Sequence, residues 1–318
     1  MRCTRMLAVL ALLLASPLQA QAPATRFLEE LTWTEVRDAV RAGTTTIIIP
    51  IGGTEQNGPH MVLGKHNYIV TFAANLLAQR LGNALVAPTI QYVPEGDYNE
   101  PGFGAKPGVI SHPSPSYENL LDAAARSLKV HGFTDILFIG DSGGNQNGMT
   151  AVATRLNEEW QGRGARVYAL TDYYQQGRTD LRAWLLAEFG YDAATVGSHA
   201  GITDTSQLLY VRETGIRKDR LQPNGGGPDS GVRGDPTKAT AEIGRRAIDF
   251  KVNAALAQYR ALGGRPGGPD VLRSPAPSIP TDESYVLLSR CSCAAMRSAS
   301  AMTRSRLPLQ IFAICSSV

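Results

Sequence analysis

The chain has 318 residues, of which 43% are hydrophobic and 19% are charged, and its formal net charge is +3. This length and composition are typical of a globular protein with one large domain, and they argue against a disordered chain. The charge is too small, and too little clustered with aromatic residues, for nucleic acid to be an expected partner.

The first 22 residues have the pattern of a secretory signal peptide. Arg2 and Arg5 give a positive start, residues 6–15 form an apolar run, and Ala20-Gln21-Ala22 is a small-x-small cleavage site. The apolar run is short for a membrane span and no stop-transfer pattern follows it, although an uncleaved anchor is the alternative. The sequence predicts export to the periplasm or the medium, without stable membrane association after cleavage.

Cysteine usage agrees with export. The four cysteines are Cys3, Cys291, Cys293 and Cys315, so the chain between residues 22 and 290 has none. This suits an oxidising compartment, and it excludes a cysteine nucleophile or a zinc–thiolate site from the core. Residues 264–318 show neither helical nor strand periodicity and are predicted to be a disordered tail, which leaves residues 23–263 as the folded domain.

Within the folded domain, predicted strands alternate with predicted helices. The strands are 44–51, 84–90, 135–140 and 165–172. The helices are 28–42 with Thr34 as its cap, 68–81, 117–131, 147–161, 180–188, 205–211 and 235–262. This alternation predicts an α/β fold, a three-layer α/β/α sandwich around a mostly parallel sheet. The Gly/Pro/Asn-rich segment 92–115 is long for a connection and is predicted to be a functional loop.

The segment after the first strand carries the strongest chemical signal. A β-branched run ends in two glycines at 52–53, and Glu55, Asn57, His60 and His66 follow within fourteen residues. α/β folds place their sites at the carboxyl ends of such strands. His60 follows Gly-Pro and is expected to hold the loop.

Four segments together resemble the creatininase (creatinine amidohydrolase) family of metal-dependent amidohydrolases. Residues 52–66 resemble the family's G-x-x-E-Q-H-G-P-H-L-P-L-G-T-D, residues 140–145 its N-G-H-G-G-N, and residues 198–206 its H-A-G-E-x-E-T-S; residues 231–246 resemble its C-terminal block. The resemblance implies the α/β/α fold, hydrolysis of a cyclic or linear amide C–N bond in a small molecule, and formation of homo-oligomers.

The resemblance also implies metal binding, but three positions differ. Family members hold two divalent metals through the Glu and His of E-Q-H-G, the Asp of L-G-T-D and the His of N-G-H. Here Glu55 is retained, whereas Asn57, His66 and Ser142 replace the others. A histidine cannot bridge two metals as a carboxylate does. The prediction is therefore a rearranged single site for zinc or manganese, formed by Glu55, His66 and Asp141.

The other site residues follow from the same segments. The resemblance implies that His199 transfers protons or contacts the substrate, and the alternative is a structural histidine hydrogen-bonded at a helix start. Asp204 is either a site carboxylate or the cap of the following helix. Backbone N–H groups of Gly143 and Gly144 are expected to approach a substrate or an oxyanion. The remaining predicted substrate contacts are Asn145 and Asn57.

Two alternatives remain open at this point. The replaced metal positions are also compatible with a non-catalytic protein that binds a ligand on the same scaffold. The third possibility is a metal-free hydrolase in which Ser142 is the nucleophile, His199 its base and Asp204 the residue that orients the base.

Overall fold

The computed structural model describes residues 25–267, so the predicted signal peptide and residues 268–318 of the predicted tail lie outside the described residues. Four strands form one parallel sheet in the order β2-β1-β3-β4. They are β1 (Thr46–Ile51), β2 (Ala84–Val86), β3 (Asp135–Gly140) and β4 (Arg166–Ala169). The α/β class is confirmed, and the central strands β1 and β3 pair along their whole length.

The helices follow the predicted alternation but differ at several ends. They are α1 (Trp33–Arg41), α2 (Lys65–Leu81), α3 (Ser114–Val130), α4 (Gln146–Glu159), α5 (Gln175–Phe189), α6 (Ala193–Val196), α7 (Ile202–Arg212) and α8 (Ala241–Ala261). None of the helices within residues 25–267 is both long and apolar enough to span a bilayer.

Six of the seven predicted helix starts differ from the structure by three to six residues, and two of them show the reason. Thr32, not Thr34, caps α1, since its hydroxyl accepts from the backbone N–H of Glu35 and the Glu35 carboxylate accepts from the N–H of Thr32. At the other end of the domain, the 235–262 prediction begins too early because Pro236–Lys238 forms a separate 3-10 turn. Thr240 then caps α8.

Two predicted strands are too long, because the chain leaves the sheet early. After β2 the backbone returns only for an isolated bridge between Ile51 and Ile90. After β4 it turns into the 3-10 segment Thr171–Tyr173. The predicted loop 92–115 has no regular strand or helix as far as residue 113, but it ends earlier than predicted because α3 begins at Ser114.

Helices cover both faces of the sheet, which confirms the three-layer sandwich. Ile48 of β1 belongs to the core beneath α2 and α8, which includes Leu77 and Val252. Its neighbours in β1 point the other way: Ile47 belongs to the second core with Leu121 of α3 and Val152 of α4. The alternation follows from the two-residue period of a strand.

The fold brings the chemical segments to one edge of the sheet. The loop after β1 and the turn after β3 leave adjacent parallel strands at their carboxyl ends. Helix α7 packs against α2 and α8 near the same edge. The segments that were recognised separately in the sequence therefore meet in space.

Replacing Ile48 by alanine tests the importance of the central strand. Ile48 is fully buried, so Ile48→Ala is expected to lower the free energy of unfolding by about 2–5 kcal/mol in urea titrations. Val130→Ala is the control, because Val130 is 84% exposed and its truncation should change stability by less than about 0.5 kcal/mol. Equal losses for both variants would contradict the assignment of Ile48 to the core.

Candidate active site

Glu55 lies at the centre of the site and is almost fully buried. One carboxylate oxygen, Oε1, accepts from Lys65 Nζ at 3.0 Å and from His66 Nε2 at 2.7 Å, and it lies 3.2 Å from His199 Nε2. Burial alone would raise the pKa of Glu55, but the charges of Lys65 and His66 hold this pKa far below its usual range. Glu55 is therefore a fixed anion.

His66 links two carboxylates. It lies in the first turn of α2, where its Nδ1 contacts Asp141 Oδ2 at 2.6 Å and its Nε2 contacts Glu55. Burial and the charge of Lys65 disfavour its protonated form, but Glu55 and Asp141 outweigh them and raise the pKa of His66 to about 9. At neutral pH His66 is thus an imidazolium that donates a hydrogen bond from each nitrogen.

Asp141 extends the cluster to helix α8. Its second oxygen, Oδ1, accepts from Lys251 Nζ at 2.7 Å and from the Tyr173 hydroxyl at 2.9 Å. Burial opposes ionisation, yet Lys251 and the hydrogen bond from His66 keep the pKa of Asp141 below its usual value. The side chains of this group are all buried: Asp141, Lys251, Tyr173 and His66.

Asp204 is the second carboxylate that Lys65 contacts. Its Oδ2 accepts from Lys65 Nζ and from the backbone N–H of Ala200, each at 2.8 Å. Burial disfavours the anion, but Lys65 keeps the pKa of Asp204 well below its usual range. Because α7 begins at Ile202, Asp204 lies inside the first turn of the helix; the alternative that it is the helix cap is wrong.

The turn that carries His199 is strained and tightly held. Ala200 has φ = 52°, a left-handed conformation that is uncommon for residues other than glycine. The His199 ring donates from Nδ1 to the carbonyl oxygen of Gly231 at 2.7 Å, and Phe103 contacts the ring edge-on at 5.3 Å. The carbonyl can only accept, so Nδ1 carries a proton, and Nε2 is the nitrogen that faces Glu55.

Ser142 has a different partner from the one that a catalytic triad requires. Its hydroxyl donates to Glu95 Oε2 at 3.2 Å. The nitrogens of His199 contact Gly231 and Glu55, and Asp204 contacts Lys65 and Ala200. The structure therefore does not assemble the predicted arrangement of Ser142, His199 and Asp204.

Glu95 is a site residue that the sequence did not reveal. It comes from the loop between β2 and α3, and it is buried, with its Oε1 lacking a hydrogen-bond partner among the described residues. Burial, and then the charge of Glu55, raise the pKa of Glu95 to about 8. Unlike Glu55, Glu95 is mainly protonated at neutral pH.

Gly143 and Gly144 both line the cavity, but only at Gly144 does the packing require glycine. A Cβ atom on Gly144 would lie 2.1 Å from the carbonyl oxygen of Pro94, so the close approach of the loop requires glycine there. A Cβ atom on Gly143 would lie 3.5 Å from the Tyr174 hydroxyl, which is an ordinary contact. Gly143 therefore presents open backbone beside the cavity.

The two predicted asparagine contacts lie outside the cavity lining. Asn57 donates from Nδ2 to the carbonyl oxygens of Glu55 at 2.9 Å and Val62 at 3.1 Å. Asn145 donates to the Gly52 carbonyl oxygen at 3.2 Å and accepts from the Ser142 N–H at 2.7 Å. Both amides hold loop backbone, and their placement gives no support to a direct contact with substrate.

His60 has the structural role that was predicted for it. It is buried, and its Nε2 contacts the Thr205 hydroxyl at 3.0 Å. Burial and the charge of Lys65 lower the pKa of His60 to about 4, so the ring is neutral at pH 7. This contact ties the loop after β1 to helix α7.

The cavity between these groups has a volume of about 240 Å³. Besides the charged cluster, its wall includes Tyr174, Arg178, Thr203 and Gln207. The guanidinium of Arg178 lies over the Tyr174 ring and donates to the Tyr174 hydroxyl at 2.6 Å. The lining is mainly polar and charged, which suits a small polar ligand.

The three predicted metal ligands converge, but their arrangement does not fit a metal ion. Both nitrogens of His66 are engaged by Glu55 and Asp141, so neither has a lone pair to offer. A divalent ion about 4 Å from the Lys65 ammonium would be repelled by ~8 kcal/mol at an effective dielectric constant of about 20. Within residues 25–267, no cluster of three or more histidine, cysteine or acidic side chains has metal-binding geometry.

Comparison with known proteins identifies relatives of the whole domain. The family model described as creatininase, creatinine amidohydrolase, matches residues 29–259. A mycofactocin precursor peptide peptidase from Mycolicibacterium smegmatis is 27% identical over 229 residues, which cover 65% of this chain and 81% of the relative. A creatinine amidohydrolase from Pseudomonas putida is 30% identical over 209 residues, or 61% and 75% of the two chains.

Solved creatininase structures share the fold. A structure described as "Creatininase Mn" has a TM-score of 0.60 at 22% identity and covers 74% of this chain and 98% of its own. A mutant creatininase of "Zn-Zn type" has a TM-score of 0.58 at 23% identity, with the same coverage. Divalent metals thus occur among the creatininases, and the likeness in structure supports the α/β/α fold.

Sequence reasoning also missed two lysines. Lys65 directly precedes the predicted ligand His66, where its positive charge opposes a metal ion. Lys251 lies one helical turn after Ala247 and one turn before Ala255, both of which are core positions. A lysine on an apolar helix face was the available signal, since buried lysines are found almost only with a partner.

Replacing Glu95 by glutamine tests whether the pKa of the Glu95 carboxyl is raised in the folded protein. The unfolded carboxyl ionises near pH 4.5 and the folded one near pH 8, so the folded state binds more protons in this window. The stability of the wild type should therefore fall as pH rises from about 4.5 to about 8. Glu95→Gln keeps the shape without the ionisation.

Urea unfolding between pH 4 and pH 8 measures this difference. The variant should match the wild type near pH 4 and be more stable by a few kcal/mol at pH 8. Glu100→Gln is the control, because Glu100 is exposed in the same loop. Parallel stability curves for Glu95→Gln and the wild type would contradict the raised pKa.

Proposed function

Because the chain belongs to the creatininase family, we propose that it hydrolyses an amide C–N bond in a small polar substrate. The observation that carries the proposal is the position of His199 beside Glu55 and Lys65, in a cavity that also exposes the backbone of Gly143. The names of two relatives, a peptide peptidase and a creatinine amidohydrolase, support the same class of reaction.

The cavity limits the size and polarity of the substrate. Pockets for drug-sized ligands measure about 300–1,000 Å³, whereas this cavity measures about 240 Å³. It suits a small metabolite or the terminal residue of a peptide. Arg178 and the charged cluster favour a substrate with polar or anionic groups.

The positive charges of the site can polarise a carbonyl group. An ammonium has three N–H donors, and Lys65 directs two of them to Glu55 and Asp204. The third can donate to the carbonyl oxygen of a substrate, and the N–H of Gly143 can supply a second hydrogen bond. When water adds to the carbonyl carbon, the resulting oxyanion is stabilised by these donors.

His199 is placed to transfer the proton that releases the amine. Its ring is fixed through Nδ1, and its Nε2 lies 3.2 Å from Glu55 Oε1. In the proposed step, the attacking water gives a proton to Glu55, which passes it to Nε2 of His199. His199 then gives this proton to the departing nitrogen as the C–N bond breaks, which returns both side chains to their starting state.

The low pKa of Glu55 makes it a weak base. The attack of water therefore depends mainly on how strongly Lys65 and the backbone polarise the carbonyl. The zinc or manganese that the family resemblance suggested has no part in this proposal. Glu55 Oε1 and both oxygens of Asp141 already contact cations, and both nitrogens of His66 already donate to carboxylates.

A ligand-binding protein is the second candidate. The specific observation in its favour is that Glu55 Oε1 and both oxygens of Asp141 already contact cations. A site of this kind could bind a small polar molecule without transforming it. Binding without turnover is the property that separates the two candidates.

We also propose that the protein is exported, on the basis of the signal-like segment and the cysteine-free domain. Expression of the full chain in a Gram-negative host should yield a mature protein that begins near residue 23, as measured by the intact mass of the periplasmic fraction. A full-length N-terminus in the membrane fraction would instead indicate an uncleaved anchor.

An amide-cleavage assay tests the enzymatic proposal. Purified protein is incubated with small cyclic amides, N-acyl amino acids and dipeptides, and the released amine or new carboxylate is measured. With a cleaved substrate, His199→Gln should lower kcat by about 10²–10⁴-fold, as expected for loss of a proton-transfer group. His131→Gln is the control, because His131 is an exposed histidine at the end of α3.

Calorimetric titration with the same compounds separates the two candidates. A compound that binds to the wild type but is never cleaved would support the ligand-binding protein and contradict the hydrolase. Unchanged kcat in His199→Gln would remove His199 from the proposed mechanism.

A further inference from the structure

We propose that Lys65, His66 and Lys251 replace divalent metal ions in this chain as fixed side-chain cations, so that the site works without a bound metal. The inference concerns the electrostatics of the site and holds equally for a hydrolase and for a ligand-binding protein. It departs from the creatininase structures described as manganese and Zn-Zn forms.

The three cations contact the carboxylate oxygens that would otherwise be available to a metal ion. Lys65 contacts Glu55 at 3.0 Å and Asp204 at 2.8 Å. His66 joins Glu55 and Asp141 at 2.7 Å and 2.6 Å. Lys251 contacts the other oxygen of Asp141 at 2.7 Å. The three carboxylates are thus matched by at least as many positive charges, and a further divalent cation would make this buried site strongly positive.

Most nitrogen donors of the site are engaged as well. Each ring nitrogen of His66 donates to a carboxylate, and Nδ1 of His199 donates to the Gly231 carbonyl oxygen, which leaves only Nε2 of His199. An ammonium has no lone pair with which to bind a metal. A metal site needs at least three convergent donors, and among the described side chains these remaining atoms do not supply them.

Rigid elements position the three cations. Lys65 and His66 begin α2, and Lys251 lies in the middle of α8. A Cβ atom on Gly177 of α5 would lie 2.8 Å from the Cα of Lys251, so a glycine lets the two helices approach closely at this point. All three side chains are at most 9% exposed. Burial and ion pairing hold the three charges beside the carboxylates.

The position of Lys65 and His66 is informative in itself. The first turn of a helix disfavours positive charge, because its free N–H groups are the positive end of the helix dipole. Two consecutive cations there are stable only because Glu55, Asp141 and Asp204 surround them. The carboxylates and the cations therefore form one unit, in which a metal would have to displace a side chain that the fold holds in place.

Metal binding by the wild type and by His66→Asp tests the proposal. The full chain is purified without chelator, and its content of zinc, manganese and iron is measured by mass spectrometry before and after dialysis against each metal. Thermal unfolding is recorded with excess Zn²⁺, Mn²⁺ or EDTA. Neither measurement requires a substrate, so their outcome is independent of whether the protein hydrolyses amides.

The wild type should contain less than about 0.1 equivalent of metal, and its melting temperature should not respond to metal or chelator. His66→Asp removes a cation and adds a third carboxylate beside Glu55 and Asp141, which creates an oxygen-rich set that suits a divalent ion. This variant should bind about one equivalent and be stabilised by it; saturation at 100 times Kd corresponds to ~2.7 kcal/mol. His131→Asp makes the same change at an exposed position and should bind none.

Three results would overturn the proposal. They are stoichiometric metal in the wild type, a fall in its melting temperature with EDTA, and a folded His66→Asp that gains no metal affinity. If His66→Asp does not fold, Lys65→Met provides the second variant, with Lys106→Met as its exposed control. Lys65→Met frees oxygens of Glu55 and Asp204 and should raise metal affinity above that of the control; equal affinity would also overturn the proposal.

Discussion

The buried carboxylate of Glu55 is the constraint on which the site depends. An isolated anion in a protein interior costs several kcal/mol unless it is paired and hydrogen-bonded. Glu55 meets this requirement through a single oxygen, which accepts from Lys65 and His66 and also contacts His199. This requirement explains why two cations occupy the unfavourable first turn of α2. It also explains why the strained turn at Ala200 directs His199 towards Glu55.

The charge cluster also connects the layers of the fold. Through Lys251, Asp141 joins the end of β3 to helix α8, and through Lys65, Asp204 joins α7 to α2. Removal of one partner from a buried ion pair typically costs about 3–5 kcal/mol, because the other charge stays behind unpaired. Site and core are therefore coupled energetically. A loss of activity in a variant of this cluster is meaningful only beside a measurement of its stability.

The sequence was sufficient for the fold and for part of the site. Glu55 and Asp141 could be placed together because adjacent parallel strands end at the same edge of a sheet. The lysines that pair with those carboxylates could not be predicted, since the position of each lysine depends on how its helix packs against the sheet. The lysine at 251 is visible as a polar residue on an apolar face, but nothing local indicates that it reaches Asp141. Glu95 comes from an irregular loop, where neither periodicity nor a motif predicts burial.

Side-chain cations can do only part of what a metal does. An ammonium or imidazolium can donate to an oxyanion, but it does not bind water as a ligand and lower its pKa to about 7, as zinc can. With Glu55 held as a weak base, this site is better suited to stabilising negative charge on a substrate than to producing hydroxide. We therefore expect it to act on carbonyl groups that are already reactive, such as those of strained or electron-poor cyclic amides, in preference to an ordinary peptide bond.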